Sequence, residues 1–230
     1  MLRQTDEDVI RKVHYMRKMD PGVFKDLARS ISAKDYAAGF QVFEKGMPAG
    51  HFYIVISGWI ALYRLDSSGK KTTVKLMGPG ESFAEALIPE GSVYPLSAEV
   101  LSKTRLASVS TEHFRRIIRS DPETSINVLS ATFQQLRILV DRIEQDAGWS
   151  CERRIARFLL KCHADAGSKQ EFKLPLEQKV IAEFLSMSPY TFSRKLAKMQ
   201  KLGINTRRGY VKIEDLSRLS EIANGTLDYN

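Results

Sequence analysis

The apolar positions change period along the chain, and the changes divide it. Residues 1 to 19 show no period and predict a mobile or loosely helical lead. Val23, Phe24, Leu27 and Ile31 then recur at helical spacing behind an Asp20 cap, with Pro21 at the first helical position. From Phe40 to about Val109 the period becomes two, in Phe40 to Phe43, Phe52 to Ile56, Ile60 to Arg64 and Val74 to Met77, with a hairpin turn at Ser67-Ser68-Gly69-Lys70. Short strands at this spacing predict a sandwich or jelly roll with room for an interior pocket. Gly78 to Ala98 breaks the pattern, either as a loop facing a ligand or as a turn exposing Glu85. Ser110 or Thr111 caps a short helix ending near Asp121-Pro122.

Ile126, Leu129, Phe133, Leu136, Val140, Ile143 and Ala147 alternate at intervals of three and four, an a/d seam with polar outer positions. The seam predicts a parallel homodimer, with packing on its own domain as the alternative. Gly148 interrupts it as a hinge, and Glu152 to Cys162 resumes a helix with Ile155, Phe158 and Leu159 inward, ended by Gly167-Ser168. After a short strand around Phe172-Lys173-Leu174, Gln178 to Leu185 predicts an amphipathic helix joined tightly through Ser186-Met187 to a second. Ser188 caps that second helix, Phe192, Leu196 and Met199 form its inner face, and Tyr190, Arg194 and Ala197 point away. This is a helix-turn-helix pattern. Ile204 to Thr206 and Tyr210 to Ile213 then flank Arg207-Arg208-Gly209 as a wing hairpin, before a terminal helix with Leu216, Leu219 and Ile222 inward, closed near Gly225.

Charge strengthens the reading. Phe184 to Ile213 holds seven basic residues, Arg194, Lys195, Lys198, Lys201, Arg207, Arg208 and Lys212, and no acidic one, which supplies +7 of the chain's +8. An excess confined to one motif is what a phosphate-binding surface needs, against the plainer reading of a solvated basic helix pair. With 230 residues, 43% hydrophobic and 27% charged, the chain reads as a two-domain globular protein. It has no apolar run near the ~20 residues of a membrane span and no signal-peptide core, so a cytoplasmic protein without a membrane partner is expected. Its two cysteines, Cys151 and Cys162, suit neither a disulfide framework nor zinc, and an iron–sulfur cluster normally takes four thiolates. No nucleophile with a neighbouring base, P-loop or metal cluster appears, so no enzyme is expected.

Val42-Phe43-Glu44-Lys45-Gly46, Phe52 to Gly58, Gly78-Pro79-Gly80-Glu81-Ser82-Phe83 and Ser188 to Arg194 stand in an order that resembles the cyclic-AMP receptor protein and fumarate-nitrate regulator (CRP/FNR) superfamily of bacterial transcription regulators, over residues 20 to 225. The resemblance implies an α+β chain: a cyclic-nucleotide-binding-type jelly roll in 1–120, a dimerisation helix in 121–147 and a winged helix-turn-helix in 148–230. It implies an effector pocket at Gly80, Glu81, Phe83, Ala84, Glu85, Ala86, Leu96 and Ser97. Glu85 and Ser97 match nucleotide-binding members, but Ala84 replaces a glycine and Leu96 stands where an arginine holds the cyclic phosphate. A buried phosphate without its cation costs several kcal/mol, so cyclic AMP is disfavoured unless Arg64 or Arg105 reaches the pocket.

An iron–sulfur sensor is disfavoured because the N-terminal cysteine cluster of such members is missing. Ser82 to Ala86 and Tyr94 to Ala98 look like the nitric-oxide-responsive denitrification branch, proposed to act through haem. Under that reading His14 is the candidate axial ligand; otherwise it is a surface histidine. On the DNA side Ser193 and Arg194 match the family, and arginine can pair bidentately with guanine. Tyr190 stands where the family commonly has glutamate, and Thr191, Lys198, Arg207 and Arg208 read as phosphate positioners. The implied mechanism is a homodimer on a near-palindromic operator, with RNA polymerase as a further partner and recognition helices ~34 Å apart. The alternatives are a cyclic-nucleotide-binding regulator, or a regulatory protein whose basic C-terminal domain docks a protein partner.

Overall fold

The computed structural model describes residues 2–85, 92–146 and 149–226, without side chains at 135 and 138–146. It divides into two compact units, Met1–Asp141 and Arg142–Asn230.

In the first unit, two four-stranded antiparallel sheets enclose a jelly-roll interior. One runs in the order β1(Ser32–Tyr36), β8(Thr104–Ser110), β3(His51–Ser57), β6(Ser82–Phe83). The other runs β2(Gln41–Phe43), β7(Ser97–Val100), β4(Ile60–Leu65), β5(Lys71–Met77). Alternation along β3 puts Val55 between the sheets with Phe43, Ile60, Met77, Phe83 and Leu106. Phe52 and Ile54 face the helices instead, where they pack with Phe24, Leu27 and Phe114. Those helices are α2(Pro21–Ser30), capped by Asp20, and α3(Thr111–Ser120), capped by Ser110.

Of the two expectations for the N-terminal lead, mobile or loosely helical, the structure matches the second in part, and the lead is packed onto the roll. It begins with helix α1(Gln4–Ile10), and Ile10, Val13, Tyr15, Met16 and Met19 are all buried. Past Ile10 the backbone runs through successive turns rather than one helix, so the buried positions fall at irregular spacing and leave no period to read. Asp6 locks this lead to the roll: both its oxygens accept from the Arg105 guanidinium, at 2.8 and 2.7 Å, with both residues buried. The pair lowers the Asp6 pKa, outweighing the cost of burial.

Helix α4(Pro122–Asp146) turns two faces outward from its axis. Thr124, Val128 and Ala131 pack on the first unit. The predicted seam residues do not: Ile126, Leu129, Phe133 and Leu136 are 60%, 55%, 61% and 55% exposed. Val140 and Ile143 lie outside the described side chains, and Ala147 and the Gly148 hinge lie outside the described residues altogether. Among the described residues no helix is long and apolar enough to cross a membrane.

The second unit comprises α5(Cys151–Asp165), β9(Glu171–Lys173), α6(Gln178–Phe184), α7(Pro189–Lys198), a 3-10 turn Met199–Leu202, β10(Ile204–Arg207), β11(Tyr210–Ile213) and α8(Leu216–Asn224). Its core joins Ile155, Leu159, Ile181, Phe192, Leu196, Met199, Val211 and Leu219, all essentially inaccessible. Leu216 departs from its predicted inward position and is 45% exposed, because it opens α8 beside the Asp215 cap.

Candidate functional site

Helix α7 starts where its cap dictates. Ser188 Oγ accepts from Thr191 N at 3.0 Å, and Pro189 occupies the first helical turn. Burial of Phe192 and Leu196 turns Tyr190, Ser193, Arg194, Ala197 and Lys198 outward, all exposed. Tyr190 is 74% exposed, and the Arg194 guanidinium lies 5.8 Å from its ring centroid, one helical turn on. The Thr191 hydroxyl lies 2.9 Å from Ser188 Oγ, so this predicted phosphate positioner also braces the cap.

Two corrections bear on the basic stretch. Lys195 does not join the exposed face: its Nζ reaches Glu152 Oε1 at 2.5 Å, and that side chain of α5 is 5% exposed. Arg154, also on α5, donates to Leu185 O at 2.6 Å. The first turn of α5 therefore grips both the turn and the recognition helix. No local signal announces this, because Glu152 and Lys195 are 43 residues apart. Arg207 lies within β10 opposite Tyr210, so the wing tip is Arg208-Gly209 alone. Both tip residues have positive φ, 49° and 81°, as a tight two-residue hairpin turn requires. Arg207 and Arg208 are exposed.

In the roll, the predicted effector residues are largely engaged by the protein itself. Gly80 N donates to Val55 O at 2.8 Å, and Glu81 accepts from Gly78 N at 2.7 Å. Ser97, buried, accepts from Lys45 N at 3.0 Å. Glu85 takes a long bond from Ser82 at 3.4 Å, and Leu96 is half-buried. Ala84, in the glycine position of the resemblance, is held at φ 66°. Ala86 lies outside the described residues. Arg105 is not a spare cation, since Asp6 and Asp35 hold its guanidinium, and Arg64 is exposed. Between the sheets, Phe43 stacks on Tyr94 at 3.7 Å between centroids and 9° between planes. Tyr53 and Phe83 stack beside them at 5.3 Å. Burial raises the Tyr53 pKa.

His14 is half-buried rather than on the surface, with its ring edge-on to Tyr15 at 4.7 Å. Desolvation lowers its pKa against the opposing pull of Glu85, which favours the neutral imidazole an iron ligand needs. Phe43 also stacks on Tyr53, at 5.6 Å between centroids, so four aromatic rings cluster between the sheets.

Residues 33–121 match the cyclic nucleotide-binding domain model and residues 153–222 the Crp-like helix-turn-helix domain model. A CRP-like cAMP-activated global transcriptional regulator of Mycobacterium tuberculosis is 24% identical over 93% of this chain and 94% of its own length. The nitrogen fixation regulation protein FixK of Azorhizobium caulinodans is 23% identical over 82% and 84%. A solved structure from Silicibacter pomeroyi DSS-3, named as a candidate cAMP-binding regulatory protein, superimposes with a TM-score of 0.79 at 28% identity, covering 96% of this chain and 99% of that one. Both halves match in the order the sequence predicts, and the chain belongs to the CRP/FNR family of DNA-binding transcription regulators.

Proposed function

We propose that the protein is a homodimeric regulator that reads a near-palindromic operator through α7 and responds to an effector other than cyclic AMP. The carrying observation is the outward face of α7, where Tyr190, Ser193, Arg194 and Lys198 are exposed on a capped helix whose other side is buried. Arg194 donates to a guanine edge. Lys198, Arg207 and Arg208 contact phosphates and set register. Tyr190, in place of the family's usual glutamate, gives the half-site a different base preference. The exposed stripe Ile126, Leu129, Phe133 and Leu136 supports the homodimer. RNA polymerase is the downstream partner in this reading.

The test selects an operator from random duplexes with the wild-type chain, then compares Arg194→Ala on the selected and a random duplex. Loss of ~1–3 kcal/mol on the selected site alone is expected. Equal loss on both makes Arg194 a phosphate contact only. Affinity that ignores salt would instead favour a protein partner for the basic domain.

What argues against cyclic AMP is Leu96 in the arginine position, with Arg105 committed to two aspartates. Haem held through His14 is the alternative effector that the neutral imidazole favours; bound there, the iron would supply a gas-binding position. A haemin titration followed by Soret absorbance, repeated on His14→Ala and with cyclic AMP as competitor, decides it. A stoichiometric shift lost in the variant places His14 on the iron, and no shift removes haem.

A further inference from the structure

Four cations of the N-terminal lead stand in the doublets Arg11-Lys12 and Arg17-Lys18, outside the helix-turn-helix and the strands of the roll. Asp8, Arg11, Lys12 and Arg17 line an open surface pocket of about 500 Å³. The pocket walls are built rather than trailing. Lys12 N donates to Val9 O, Arg17 N to Val13 O and Met19 N to Met16 O, at 3.0 to 3.1 Å. Ile10, Val13, Tyr15, Met16 and Met19 are at most 5% exposed, so the backbone bearing the cations is pinned to the core. The Arg11 guanidinium sits 3.7 Å over the ring centroid of buried Phe24, which fixes one charge in place before any ligand arrives. Among the described residues no carboxylate forms an ion pair with Arg11, Lys12 or Arg17.

We propose that this pocket binds a small phosphate-bearing anion of the nucleoside diphosphate class, separate from any effector inside the roll. Three cations against one carboxylate leave an excess that a diphosphate neutralises, and guanidinium groups suit phosphate oxygens. Asp8 disfavours a bare anion and accepts from a hydroxyl or amine, which a nucleoside carries. The inference does not depend on the identity of the roll's effector.

The experiment titrates the full-length protein with ADP, GDP and inorganic pyrophosphate by calorimetry at fixed ionic strength, against the double variant Lys12→Ala/Arg17→Ala. Both replaced side chains are exposed, so the fold should persist, which circular dichroism checks. Arg64→Ala, another exposed cation, is the control. One nucleotide per chain is expected, weakened about tenfold or more in the double variant and unchanged in the control. Pyrophosphate is expected to bind more weakly than either nucleotide. Absence of binding, equal affinity in the double variant, or a loss matched by Arg64→Ala overturns the site. A double variant that keeps nucleotide affinity but loses DNA affinity with a shallower salt slope also overturns it, and makes the patch a DNA backbone contact.

Discussion

Replacing Lys195 with methionine strands a carboxylate where water cannot reach it. Glu152 is 5% exposed at its side chain, while Lys195 is 24% exposed. The two halves of this pair are therefore unequal. Without its partner, Lys195 can swing its ammonium into solvent, and Glu152→Gln should cost only ~1 kcal/mol. Without Lys195, Glu152 keeps its charge in the core of the second unit, and Lys195→Met should cost ~3–5 kcal/mol. The double variant removes both charges and should recover most of that loss.

The readout is built into the chain. Its two tryptophans are Trp59 in the first unit and Trp149 in the second, where the indole lies under Arg153 and Arg157 at 4.2 and 4.6 Å. Urea unfolding followed by Trp149 fluorescence in a Trp59→Phe background reports the second unit. A shift of roughly 2–5 M in midpoint is expected for Lys195→Met, at an m-value of ~1–1.5 kcal/mol/M. Equal costs for the two single variants, or a double variant as unstable as their sum, would refute the asymmetry. The same logic reaches DNA binding: Lys198→Met should reduce the salt slope by ~0.9, and the buried-facing Lys195 should contribute little to it.

Phe133→Asp on the exposed stripe of α4 should dissociate the proposed dimer. Burying its 61% exposed ring is worth ~2–3 kcal/mol per protomer, and sedimentation equilibrium showing an intact dimer would sink the seam. Asp6→Asn tests the clamp by pH. Arg105 holds the Asp6 pKa below its ordinary 3.8, so its stabilisation is complete above that value and lost as pH falls through the folded one. The gap between wild type and Asp6→Asn in thermal melts should therefore be wide at neutral pH and shrink progressively as pH falls below about 4, and a constant gap contradicts the assignment. Gly58→Ala should destabilise the first unit by ~3 kcal/mol or more, since φ is +87° and the new Cβ would meet Thr104 Oγ1 at 2.3 Å and Lys103 O at 2.5 Å; an unchanged melting temperature would refute this.

Features written in neighbouring residues were legible in the chain. Ser188, Asp20 and Ser110 cap the helices they were expected to cap, since a cap needs only its own hydroxyl or carboxylate and an amide two or three residues on. The inner face of α7 and the strands of the roll follow from periods of 3.6 and 2, which repeat within a few residues. The α4 seam was visible for the same reason, and its exposure matches an apolar stripe made for something beyond its own unit.

Contacts closed across long stretches of chain were not legible. Asp6 meets Arg105 over 99 residues and Glu152 meets Lys195 over 43, and no spacing rule encodes an ion pair made by two elements that pack together only once folded. The N-terminal lead, unpatterned as a string, is buried because its turns present irregular positions to a core already shaped by β3 and α3. The roll interior is the same case: Phe43, Tyr53, Phe83 and Tyr94 read as ordinary strand and loop aromatics until folding stacks them where a ligand was expected. Periodicity and capping are properties of neighbours, whereas occupancy of a pocket and pairing of a buried charge depend on which distant atoms arrive there first.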